Sequence, residues 1–153
     1  MSTTISENDV LDSALSAVAT VIPLSMRPHH RPLLVHGSYV QASMGVLIAV
    51  IGELNGRLVL DASSATFADV AEAMYGVTLE AEMLESFVGE IGNMVAGNAV
   101  STLSNLGITV NISPPTVLVG ETKIAGFQRG VHLPLELSNS GEMNVVWMTD
   151  ERK

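Results

Sequence analysis

The spacing of apolar residues divides the chain into helical and extended stretches. Leu84, Val88, Ile91, Val95, Ala99 and Leu106 recur at the three- and four-residue intervals of a helix, in a stripe wide enough to bury against a sheet. At about 100° per residue, Ser86, Glu90, Asn93 and Gly97 fall within roughly 60° on the opposite face. The spacing therefore predicts a helix over 79–106 with an apolar back and a small, polar front. Val10, Leu11, Ala14, Leu15, Val18 and Val21 predict an earlier packing helix, capped by Ser6 or Asn8 and ended by Pro23. A further helix is predicted from caps at 61–64 to Tyr75, with Phe67, Val70, Ala71 and Met74 inward and Gly76 as its stop.

Residues 33–40, 43–51 and 57–60 read as consecutive antiparallel strands. The Asn-Gly step of Gly52-Glu53-Leu54-Asn55-Gly56 gives the last two a hairpin turn. After Gly107, residues 108–112, 117–119, 124–137 and 143–149 supply more strands, and Pro134 marks an edge or a bulge. The proline-rich segment 23–32 reads as a loop. The expected fold is α+β: a layered domain spanning 1–153, with a mixed, mainly antiparallel β-sheet packed by a long central helix and one or two further helices.

Composition narrows the function. With 47% apolar and 15% charged residues, the chain has the makings of a core. No apolar run is long enough for a membrane span and the first twelve residues are acidic and polar, so a cytoplasmic location is expected. A net charge of −9 without a Lys/Arg cluster repels phosphate backbones and argues against nucleic acid. Without cysteine there is no disulfide framework, thiolate zinc site or cysteine nucleophile.

The candidate chemistry is correspondingly narrow. His29-His30 lacks neighbouring ligands at metal-binding spacing and reads as solvated loop; His36 and His132 read as structural strand residues. Glu80, Glu82 and Glu85 suit the positive end of a helix dipole. No Ser-His-Asp arrangement is visible, and Gly89-x-x-Gly92 lies inside a helix, where it forms no phosphate-cradling loop. Gly89, Gly92 and Gly97 each cost a helix interior about 0.8 to 1 kcal/mol relative to alanine. Either tight internal packing or close approach of a partner accounts for them. Glu90 and Asn93 lie one turn apart: an amide can donate and accept, and so orient a water, while a carboxylate can pair with a partner's lysine.

The run Ser86-Phe87-Val88-Gly89-Glu90-Ile91-Gly92-Asn93-Met94-Val95-Ala96-Gly97-Asn98, with Ile112-Ser113-Pro114-Pro115-Thr116 downstream, resembles the CheC, CheX and FliY family of chemotaxis phosphatases. The family signature is an Asp or Ser, three residues, Glu, two residues, Asn, and a proline about twenty residues on. Two-site members carry a second copy on an early helix. Here Asp12 is followed by Ser16 and Ala19 instead of Glu and Asn, which points to the one-site, CheX-like branch.

The resemblance implies a CheC-like fold and a phosphatase that hydrolyses the phosphoaspartate of a CheY-like response-regulator receiver, terminating a chemotaxis or two-component signal. Asn93 would orient the attacking water and Glu90 would anchor the receiver's lysine. Ser86, Gly89, Gly97, Pro114 and Pro115 would serve docking. The resemblance further implies no cofactor or metal of the chain's own, Mg on the receiver, and a homodimer. The alternative is a non-catalytic receiver-binding or flagellar interaction module of the same fold.

Overall fold

The computed structural model describes residues 7–28 and 31–150; Ser6, His29 and His30 lie outside them. Three helices and eight strands follow in the order α1 (Glu7–Val21), β1 (Met26–Pro28), β2 (Leu33–Gln41), β3 (Met44–Gly52), β4 (Gly56–Ala62), α2 (Ser64–Tyr75), α3 (Ala81–Asn105), β5 (Val110–Ile112), β6 (Thr116–Val119), β7 (Thr122–Leu137) and β8 (Gly141–Thr149). The strands form one sheet running β1-β7-β8-β4-β3-β5, with β2 also paired to β7 and β6 to β3. Among the described residues every pairing is antiparallel, so the sheet is not mixed. None of the described helices is long and apolar enough to cross a membrane.

Alternation along the strands sorts the side chains into two layers. Leu58, Leu60 and Ala62 of β4, and Met143, Val145 and Trp147 of β8, point to the face covered by the helices. Val59, Val146 and Met148 point to the other face, beneath Tyr39 of β2 and Ile124 and Phe127 of β7. The start of β7 therefore carries β2 with it over the back of the sheet. Arg57 of β4 holds this ribbon, donating to the Ala125 carbonyl at 3.1 Å and stacking over the Phe127 ring.

The helices form for the reasons their periodicity gives. Val10, Leu11, Ala14, Val18 and Ile22 are buried along α1 and just past it. In α2 the Ser63 hydroxyl accepts from the Thr66 N–H, and Gly76 closes the helix at φ 71°, where only glycine is unstrained. Leu84, Val88, Ile91, Val95 and Ala99 bury the back of α3, joined by Phe87, Ala96 and Leu103. Leu106 departs from that stripe: it is the C-cap and more than half exposed.

Two expectations are corrected by pairings that local pattern does not encode. The expected loop 23–32 contains β1, which pairs Met26–Pro28 with Leu135–Leu137. Instead of joining β3, β2 pairs with β7, with a bulge between His36 and Ser38. Of the possible caps at 61–64 Ser63 serves, and not Asp61. Asp61 lies buried in β4, where Tyr39 donates to its Oδ2 at 2.6 Å and Asn144 Nδ2 to its Oδ1 at 2.9 Å. Asn144 Oδ1 is then left to accept from His132 Nε2 at 2.7 Å, which fixes that histidine as structural. Pro134 sits in a gap along one side of β7, between the last β2 pair at His132 and the first β1 pair at Leu135.

Candidate functional site

The site begins with how closely α3 approaches the sheet. A Cβ on Gly92 would lie 2.5 Å from a Val46 methyl, so the helix rests directly on β3 only because that side chain is missing. A Cβ on Gly89 would meet Val117 at 3.2 Å and Pro115 at 3.9 Å. Internal packing accounts for both glycines. Gly97 differs, because a Cβ there would meet nothing within 4 Å.

With its back fixed in this way, α3 turns Ser86, Glu90 and Asn93 to solvent. Glu90 and Asn93 are three residues apart and point the same way. Neither side chain forms a hydrogen bond or ion pair with another described residue. Between Ser86 and Gly120, Glu90 is the sole ionisable side chain.

The opposing wall is a break in a strand. Val110–Ile112 and Thr116–Val119 both pair with β3, but Val50 faces Ile112 whereas Leu47 faces Thr116. Three residues, Ser113, Pro114 and Pro115, therefore span the interval that Ile48 and Ala49 occupy on β3, and the chain bulges outward. The prolines have no N–H to give to a ladder, so the break costs little hydrogen bonding. Ser113 pins its base: its N–H donates to the Ala49 carbonyl, and its Oγ accepts from the Ala49 N–H, each at 2.9 Å. Sequence reasoning did not single out this serine, whose only signal was its place before two prolines.

Helix and bulge enclose an open groove of about 610 Å³ lined by Ser86, Gly89, Glu90, Asn93, Ile112, Ser113, Pro114 and Pro115. Six of the seven residues singled out from sequence thus come together. Gly97 lies one turn beyond Asn93, outside the groove lining but on the same side of the helix. Among the described residues no group of three or more His, Asp or Glu side chains is placed to hold a metal ion. The groove offers one carboxylate, one amide and room for an approaching surface.

Comparison with known proteins places this arrangement. The family model "Chemotaxis phosphatase CheX" matches residues 44–132, which carry the hairpin, α2, α3 and the proline bulge. The chain is 33% identical over 136 residues to the CheY-P phosphatase CheX of Thermotoga maritima, covering 86% of this chain and 85% of that one. Its fold matches the crystal structure of a chemotaxis protein CheX from Desulfovibrio desulfuricans, with a TM-score of 0.77 and 19% identity over 94% of this chain and 97% of the other. A similar match, with a TM-score of 0.74 and 23% identity over 94% and 97%, is to the CheX-CheY-BeF3-Mg2+ complex of Borrelia burgdorferi. The CheC-like α+β fold, the matching family model and the extent of identity to a CheX protein together establish that this chain belongs to the CheX family of chemotaxis phosphatases.

Proposed function

We propose that this protein hydrolyses the phosphoaspartate of a CheY-like receiver domain, with Asn93 orienting the attacking water and Glu90 pairing with the receiver's lysine. The observation that carries the reading is the pair itself: Glu90 and Asn93 stand exposed and unengaged by other described residues, side by side in one groove. Kinship with a CheY-P phosphatase supports the reaction class. Hydrolysis of an acyl phosphate needs an in-line water and charge stabilisation more than covalent help. An amide that accepts one water hydrogen leaves the oxygen lone pair free for attack.

The metal in this reading belongs to the partner. Mg2+ on the receiver neutralises the phosphoryl oxygens, as the composition of the Borrelia complex suggests, and the chain supplies no cofactor. Ser86, Pro114 and Pro115 shape the groove against the receiver, and Gly97 leaves space for its backbone. Gly89 serves docking indirectly, by letting Pro115 and Val117 close against the helix. The protein acts as a homodimer, a state for which the outer edge of β2, with exposed Leu33, Leu34 and Val40, is a suitable contact.

Steady-state hydrolysis of phosphorylated receiver by the two alanine variants tests the division of roles. Asn93→Ala is expected to lower kcat by about 10²-fold or more with KM little changed, and Glu90→Ala to raise KM. Equal turnover by parent and Asn93→Ala refutes the catalytic assignment. Receiver binding without turnover by the parent supports the non-catalytic module instead.

A further inference from the structure

The groove accounts for one flank of Glu90; the other flank is apolar and uncovered. Met83, seven residues before Glu90, is 66% exposed, and Met94, one turn after it, is 38% exposed. Across the α2–α3 corner Tyr75 is 51% exposed and Val77 48%. The Tyr75 ring is held edge-on to Phe87 of α3, centroids 5.9 Å apart, so this patch is joined to the same helix that presents Glu90. Four large apolar side chains left exposed on α3 and on the corner leading into it, beside a candidate site, mark a contact surface more than chance exposure does.

Charge decides what can cover it. All seven basic residues lie outside residues 58–122. Within that span, α2, α3 and their connection carry Asp69, Glu72, Glu80, Glu82, Glu85 and Glu90 with no basic residue among them. A second copy of this chain would bring the same acidic surface, and like charges across an interface cost several kcal/mol. Anionic membranes and nucleic acids are repelled for the same reason. A protein surface with an apolar centre and a Lys/Arg rim meets both conditions.

We propose that Met83, Tyr75 and Val77 form a second half of the docking surface, which takes an apolar spot ringed by Lys or Arg on the same receiver whose lysine meets Glu90. The inference rests on the phosphatase reading and adds to it the part of the partner that lies outside its active site. Recognition is then split. Glu90 and Asn93 read features every receiver shares, while the apolar patch and its acidic surround select among receivers.

Receivers from the source organism, phosphorylated with acetyl phosphate, provide the test, with Met83→Ser, Glu82→Gln and a salt series. The expected result is a KM raised about five- to tenfold by Met83→Ser with kcat unchanged. KM should also rise with added salt, less steeply in Glu82→Gln. An unaltered melting temperature shows that the fold is intact. Titration with beryllofluoride-loaded receiver gives the same comparison as Kd, independent of hydrolysis. An unchanged Kd and KM in Met83→Ser, or affinity indifferent to salt, overturns the proposal. So does a sizing experiment in which Met83→Ser dissociates a dimer while receiver affinity is kept, since a second copy would then be the occupant. Absence of turnover by the parent refutes the phosphatase reading alone, and the Kd series still decides the docking surface.

Discussion

Three glycines in one helix have three different surroundings, and this separates what holds the site from what the site offers. Gly92 lies against Val46 and Gly89 against Val117, so alanine at Gly92 forces α3 off the sheet, at a cost of about 1 to 3 kcal/mol. Gly97 faces open space. Gly97→Ala should therefore stabilise the protein by about 1 kcal/mol, readable by denaturant unfolding, while raising KM for phosphorylated receiver. A gain in stability with unchanged KM would remove Gly97 from the docking surface. The sequence showed that missing side chains mattered along α3, but not which served packing, because that depends on what each Cβ would meet across the fold. Glu90 and Asn93 were legible for the opposite reason: their exposure follows from helical period alone.

At the scale of elements, periodicity told where helices and strands lie but not which strands meet. The hairpin of β3 and β4 was legible because its Asn-Gly turn is local. The pairing of β2 with β7 joins residues far apart in sequence, and β1 is three residues long in a proline-rich segment. The groove wall depends on another such long-range tie. Ser113→Ala leaves the Ala49 N–H without its 2.9 Å acceptor and should cost about 1 to 2 kcal/mol in thermal unfolding. It should also raise KM, as Pro114 and Pro115 lose their anchor; a KM equal to the parent's would show that the bulge holds its shape unaided.

The ribbon over the back of the sheet is tied by Tyr39, Asp61, Asn144 and His132. Burial, reinforced by the nearby Asp61 charge, raises the Tyr39 pKa above its ordinary value. Its folded value thus exceeds the unfolded one of about 10, and its contribution is intact below pH ~10 and lost as pH rises beyond it. Burial also raises Asp61, outweighing the lowering by its hydrogen bonds to Tyr39 and Asn144. That group's contribution is fullest in acid and declines as pH rises through its folded value. Tyr39→Phe should cost about 1 to 3 kcal/mol at neutral pH by leaving Asp61 Oδ2 without a donor, and should flatten the alkaline loss of stability. An alkaline unfolding profile identical to the parent's would assign that loss to other groups.

The whole molecule divides its labour by face and by charge. One face of the sheet carries the helices and the groove, the other the ribbon, and the long stretch from Leu58 to Thr122 contains no basic residue. In the proposed reading the partner supplies its own metal and lysine, and the few residues in the groove are then enough. The central claim is that Asn93 acts on water rather than on binding. Single-turnover loss of acyl phosphate from a receiver, measured beside receiver affinity for the parent and Asn93→Ala, tests it most directly. The account predicts that Asn93→Ala binds about as well as the parent yet leaves the phosphoaspartate at its intrinsic decay rate. Parent-like hydrolysis by Asn93→Ala, or a loss of activity fully explained by lost binding, would contradict it.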